Sequence, residues 1–99
     1  MCELFAGQDP ANYEKVTRSV RIHGRSTSIC LETIFWHQLD ELAKVQGITT
    51  PRLVSMLYDE LTQRYGEVSN FTSMLRSSGL VFAQNEQLVR DQGTLSNIA

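Results

Sequence analysis

Between residues 16 and 32 (VTRSVRIHGRSTSICLE), apolar and polar positions alternate with a period of two. Val20 and Ile22 alternate with Arg21 and His23; beyond Gly24, Thr27, Ile29 and Leu31 alternate with Ser26, Ser28 and Cys30. Successive side chains of a strand point to opposite faces, so this period, carried by β-branched residues, predicts extended chain. Gly24 interrupts the alternation and marks a bend or a bulge. The phase predicts Thr27, Ile29 and Leu31 facing inward and Ser26, Ser28 and Cys30 facing outward.

From residue 33 the period changes to that of a helix. Phe35, Leu39, Leu42, Ala43 and Gln46 recur at i, i+4, i+7, i+8 and i+11, a stripe widened by Trp36, while Asp40, Glu41 and Lys44 lie away from it. This predicts a helix over 33–46, started by Thr33 or Glu32 and ended by Gly47. A second helix is predicted over 50–65, capped by Thr49 or Thr50, with Pro51 in its first turn and Leu53, Val54, Leu57, Leu61 and Tyr65 as its stripe. A third starts after Ser69 or Asn70, with Phe71, Met74, Leu75, Val81 and Phe82 as apolar positions. Gly79 inside it costs roughly 1 kcal/mol of helix propensity relative to Ala.

Residues 1–14 (MCELFAGQDPANYE), broken by Gly7, Asp9, Pro10 and Asn12, read as an arm without regular structure, with Leu4 and Phe5 as candidates to dock on the body. The last dozen residues, with Gly93, Ser96 and Asn97, read as frayed. The expected organisation is an arm over 1–14, one domain over 15–90 and a flexible tail over 91–99.

The order strand, helix, helix, helix leaves the strand without a partner in its own chain. Unpaired backbone N–H and C=O groups are costly, and antiparallel pairing with the same strand of a second copy about a two-fold axis would satisfy them. A domain of 99 residues also buries only ~60–65% of its unfolded surface, which favours a core shared between two copies. The expected fold is mainly α: one N-terminal strand pairing across an obligate homodimer, two helices, and an additional C-terminal helix.

Composition excludes several classes. A hydrophobic fraction of 41% is ordinary for a folded domain. No apolar run reaches membrane-spanning length and the N-terminus lacks a basic-then-apolar leader, so the expectation is a cytoplasmic protein with no membrane partner. The two cysteines, Cys2 and Cys30, have no CxxC neighbour and fit a reducing compartment. With His23 and His37 they match no metal-ligand spacing. Cys30 is a small strand residue or a redox-sensitive thiol activated by Arg25. Trp36 reads as a core or interface aromatic. Glu32, Asp40 and Glu41 have no converging partner, and no nucleophile motif or glycine-rich phosphate loop occurs, so neither an enzyme nor a cofactor is expected.

The net charge of −2 is unevenly distributed. From Lys15 to Leu31 the chain carries Lys15, Arg18, Arg21, His23 and Arg25 and no acid, leaving five basic residues against all eleven acidic ones elsewhere. A polyanion would be directed to that one segment.

The segment RSVRIHGRSTSICLETIFWHQLDELAKVQGITTPRLVSMLYDEL resembles a ribbon-helix-helix domain, the class of the Arc and methionine repressors. It is more closely similar to a subfamily of small proteobacterial proteins with that domain. The RSVRIHG arm, the TSICLE strand, the FWHQLDELA helix, the G-I-T-T turn, the later NFTSMLR segment and the opening MCELFAGQDP carry the resemblance, over roughly residues 1–82. It implies insertion of a β-ribbon into the major groove of double-stranded DNA by a homodimer, with a dimer of dimers as the larger assembly. Residue by residue, it assigns base-facing positions to Ser26, Ser28 and Cys30, and a phosphate contact to Thr49 and Thr50 at a helix N-terminus. Arg18, Arg21, His23 and Arg25 complete the expected DNA-binding set. The ribbon face departs from the class in having only short side chains, which discriminate little among base edges. Two functions follow: a DNA-binding transcriptional regulator, or an adaptor or small-ligand sensor that keeps the fold without sequence-specific DNA binding.

Overall fold

The computed structural model describes residues 2–92. The alternating stretch forms two strands, β1 (Lys15–Ile22) and β2 (Arg25–Glu32). They pair antiparallel with each other, from Lys15 opposite Glu32 to Ile22 opposite Arg25. A two-residue loop joins them: His23 and Gly24 have φ of 52° and 76°. Two successive positive φ values are what a type I′ hairpin turn requires. Glycine adopts them freely, and histidine is among the side chains enriched there.

The pairing expected across a homodimer is therefore made inside one chain. Gly24 is neither a bend nor a bulge in one strand; it is half of a turn that reverses the chain. The ladder needs no second copy, and the unpaired strand that argued for an obligate dimer does not exist. The class itself stands: a two-stranded ribbon, then helices, with an added C-terminal helical segment.

The strand phase agrees with the sequence. Val20, Ile22, Ile29 and Leu31 are buried, whereas Ser19, Arg21, Ser26, Ser28 and Cys30 are exposed. Beneath the inner face lie α2 (Thr33–Gln46) and α3 (Thr50–Tyr65), as the helical period predicted. The end of α2 is closed by Gly47 N–H on the Lys44 carbonyl and Ile48 N–H on that of Ala43, 3.1 and 3.0 Å. At the start of α3, Thr49 Oγ1 accepts from the Arg52 N–H at 3.3 Å. Trp36 is more central than its place beside the stripe suggested, with 1% of its surface exposed.

The third helical region splits into α4 (Phe71–Gln84) and α5 (Glu86–Gln92), separated at Asn85, whose N–H bonds the Val81 and Phe82 carbonyls. Leu75, Phe82 and Val89 are buried in the same cluster as the ribbon's inner face. Val81 is 56% exposed rather than a core position. Gly79 is the point of close approach between α4 and α2: a Cβ there would lie 2.7 Å from Gln38 Oε1. The expected weak spot in the helix is thus a packing requirement. The chain before β1 holds a short helix, α1 (Cys2–Ala6), and a 3₁₀ turn over Pro10–Tyr13, rather than an unstructured arm. Among the described residues Leu4 and Phe5 stay exposed rather than docked on the body. Residues 93–99 of the expected tail lie outside the described residues.

Polar contacts fix the ribbon on the helices at three levels. At its root, the Glu14 carbonyl accepts from both the N–H and the hydroxyl of Thr33, at 2.8 and 2.9 Å. Opposite, Arg76 of α4 holds Glu32 at 2.9 Å. In the middle, Arg18 forms two hydrogen bonds to Asp40, 2.8 and 3.0 Å, and lies over the Trp36 ring at 4.5 Å. The Trp36 indole N–H donates to the Val16 carbonyl at 2.8 Å, and the Thr50 hydroxyl donates to Asp40 at 2.6 Å. Planar two-point pairing and a cation over an indole face both favour arginine here. At the tip, His23 Nε2 lies 2.8 Å from Asp59 Oδ1, and its ring packs edge-on to Tyr58.

Two outcomes are expected. Leu31→Ala should cost about 2–5 kcal/mol in urea unfolding, the range for truncating a buried leucine, while Ser28→Ala should stay within about 0.5 kcal/mol. Equal losses would contradict the assigned faces. The hydrogen bonds from Arg18, then Thr50, hold the Asp40 carboxyl below its ordinary range. A carboxylate with a depressed folded-state pKa stabilises above its unfolded value, about 3.9, and loses that contribution as pH falls through the folded value. Asp40→Asn should therefore lower the thermal midpoint near neutral pH, and the gap to wild type should close as pH falls below the ordinary carboxylate range. Both side chains are about 40% exposed, so the gap should be modest and shrink in salt. A gap that widens in acid would refute the clamp.

Candidate nucleic-acid interface

The outer face of the ribbon is set by the strand period. Lys15, Thr17, Ser19 and Arg21 of β1 stand opposite Glu32, Cys30, Ser28 and Ser26 of β2. All of these except Glu32 are exposed. Glu32 is turned to Arg76, whose hydrogen bond keeps its carboxyl below the usual range. The result is a strip of hydroxyls and one thiol, with cations near its ends and its single carboxylate already paired. At ~3.3 Å per residue, Lys15 and Arg21 stand ~20 Å apart along β1.

The expected binding residues do not all share this strip. Ser26, Ser28 and Cys30 lie on it, as does Arg21, whose guanidinium reaches the Gly24 carbonyl at 3.3 Å. Arg25 is exposed at the hairpin tip, opposite Ile22 on the other face. His23 sits in the turn against Asp59. Arg18 is on the inner face, held by Asp40 and Trp36. At the start of α3, the Thr49 Oγ1 is taken by the Arg52 N–H and the Thr50 hydroxyl by Asp40. The Thr50 hydroxyl proton is thus committed to Asp40, whereas Thr49 is exposed and, as an acceptor from Arg52, keeps its own hydroxyl proton to donate.

Sequence reasoning missed Lys15, Thr17 and Ser19 as outer-face residues. The signal was present: the alternation of Val20 and Ile22, extended backwards, puts 15, 17 and 19 on the same side as Arg21. It also missed the acids that take up Arg18 and His23. Asp40 is 22 residues from Arg18 and Asp59 is 36 from His23, and no local pattern links them.

Two further concavities flank the ribbon's support. One, about 500 Å³, lies beside the hairpin tip between His23, Arg25, Thr27, Tyr58 and Thr72. The other is an apolar groove of about 300 Å³ between Leu42, Leu57, Val81, Phe82, Leu88 and Val89. Among the described residues, no group of three His, Cys, Asp or Glu side chains could hold a metal ion, and no helix is long and apolar enough to cross a membrane.

No curated protein matches the chain. It is similar to a solved structure, that of an uncharacterized protein from Bordetella pertussis Tohama I. The two are 41% identical with a TM-score of 0.83, over 89% of this chain and 70% of that one. The ribbon-helix-helix domain family matches residues 15–82, from the first residue of β1 to the buried Phe82 of α4. With the ribbon, the two helices beneath it and the packing helix α4 all inside that match, the chain belongs to the ribbon-helix-helix domain family.

Proposed function

We propose that the chain is a DNA-binding regulator of transcription that lays the outer face of its β-ribbon in the major groove of double-stranded DNA. One observation carries the proposal: that face is exposed, carries Lys15 and Arg21, and holds one carboxylate, which Arg76 neutralises. The major groove admits a two-stranded ribbon, and ribbon readers of this family are a known docking class. Arg25 at the tip adds a third cation for phosphates. Arg18 and His23 act differently: each is drawn to a helix acid and stiffens the ribbon instead of meeting DNA. Thr17, Ser19, Ser26, Ser28 and Cys30 face the bases with short groups, so most of the affinity comes from phosphate contacts.

A second reading, an adaptor or small-ligand sensor, draws on the apolar groove between α2, α3, α4 and α5, beside which Val81 and Leu88 are 56% and 49% exposed. Exposed apolar surface of this kind marks partner or ligand sites.

Three cations on phosphates should give a log affinity against log salt slope of about −2 to −3. Arg21→Ala and Arg25→Ala should weaken binding to every duplex and each flatten that slope by about one. Arg18→Ala should lower the unfolding midpoint while leaving the slope of the folded protein unchanged. Ser28→Ala should shift preference among sequences by roughly 1 kcal/mol or less. A fluorescence titration of random-sequence duplex DNA at two salt concentrations reads all four. Failure of the wild type to bind at ~50 mM salt, where phosphate contacts are strongest, would overturn the DNA reading in favour of the second.

A further inference from the structure

The inner face of the ribbon carries two cations, Arg18 on β1 and Arg25 on β2, because Arg18 faces Ile29 and Arg25 faces the buried Ile22. Arg18 is held by Asp40 and the Trp36 ring. Arg25 has no acidic partner among the described residues. Its strand phase puts it on the same side as Thr27 and Ile29, and there it borders the concavity of about 500 Å³ at the hairpin tip, whose other walls come from α3 and the start of α4. That volume is within the range of small-molecule sites.

Three kinds of surface meet in this concavity. Ile22 and Ile29, 7% and 4% exposed, give it an apolar base. Tyr58 and Phe71 form an edge-to-face pair with centroids 5.2 Å apart, and His23 meets Tyr58 at 5.8 Å. Such a run of rings accepts a further ring at about 4.5–7 Å between centroids. The hydroxyls of Thr27 and Thr72 supply polar groups: those of Thr33, Thr49, Thr50 and Thr62 are hydrogen-bonded, whereas these two have no protein partner among the described residues. The acid at this corner, Asp59, is turned to His23 and is not part of the lining.

The lining selects a ligand class. A guanidinium offers paired N–H donors to a carboxylate, and the rings and isoleucines take an apolar body. A bare inorganic anion would use the cation and leave the rings uncovered; a neutral aromatic would cover the rings and leave the cation unused. The other concavities lack this combination. The apolar groove between α2, α3, α4 and α5 has no charged lining residue, and the cleft at Trp36 has its arginine already paired.

We infer that the tip concavity is a binding site for a small aryl carboxylate, with Arg25 gripping the carboxylate and the ring lying against Tyr58 and Phe71. Its consequence for DNA rests on the DNA-binding reading above. There Arg25 is also a cation for phosphates, so ligand and duplex compete for it, and the ligand releases the protein from DNA. The coupling is reciprocal: duplex weakens the ligand by the same factor.

The experiment titrates the full chain with naphthoate, by calorimetry and NMR, using naphthamide as the neutral isostere and inorganic phosphate as the bare anion. Naphthoate should bind at one site per chain and shift the Thr27 and Thr72 amide resonances. Naphthamide and phosphate should bind at least about tenfold more weakly, as should naphthoate to Arg25→Ala, the loss expected when a charge-assisted hydrogen bond is removed. Arg64→Ala, which removes an exposed cation of α3 outside the lining, should stay within about twofold and so separates a site from diffuse charge attraction. No naphthoate binding in the millimolar range, equal affinity for the amide, or equal affinity in Arg25→Ala would overturn the site. With duplex DNA at ~50 mM salt, saturating naphthoate should weaken wild-type binding about tenfold and flatten the salt slope by about one, and do neither in Arg25→Ala. Unchanged duplex affinity at saturation would overturn the competition and leave DNA binding standing. Binding to no duplex would overturn the DNA reading, while the titration without DNA still decides the site.

Discussion

A backbone hydrogen-bonding group removed from water must find a partner, and in this molecule the turn at His23 and Gly24 decides where each strand finds its own. Because both residues hold positive φ, Lys15–Ile22 folds back on Arg25–Glu32 in a register that leaves all inward apolar side chains on one face. That face needs cover, and the helices provide it. Were the turn to open into a single extended strand, the ladder, the inner face and the outer strip would all lose their definition together.

The charges follow from the same geometry. Alternation sends Arg18 to the inside and Arg21 to the outside, three residues apart in sequence and on opposite sides of the sheet. The inner one is held there by Asp40, which Thr50 in turn hydrogen-bonds, and by the Trp36 ring. A guanidinium is well suited to this site: its plane meets a carboxylate at two points and an indole at its face, where an ammonium could do one or the other. A basic stretch of sequence is thereby divided into residues that build the ribbon and residues that are left for a polyanion.

Much of this was legible in the residues themselves. Helix limits at Thr33, Gly47 and Thr50 came from capping and stop chemistry, which is local. The inward phase of Ile29 and Leu31 came from period two, also local. Two alternating runs separated by two residues ending in glycine are a hairpin signal, but His-Gly is a less familiar turn pair than Asn-Gly or Asp-Gly, and on sequence alone its glycine looks like an irregularity in one strand. From that single step came the expectation that the ladder is shared between two copies. The engagement of Arg18 by Asp40 and of His23 by Asp59 was beyond reach for another reason: these pairs exist only once α2 and α3 pack on the ribbon. The role of Gly79 was hidden in the same way, since propensity reports what a glycine costs a helix and is silent on what a neighbouring Gln38 needs.

That the two strands are separate stretches of one chain has a consequence for how such a surface can change. In a ribbon assembled from identical strands, one altered codon alters two contacts, and a new side chain must suit both ends of the target at once. Here a substitution at Ser28 leaves its facing Ser19 untouched, and one at Thr17 leaves Cys30 untouched. Each position of the outer face is thus an independent variable, open to selection one contact at a time, and the surface can drift through partly altered forms that a symmetric ribbon has no means of encoding.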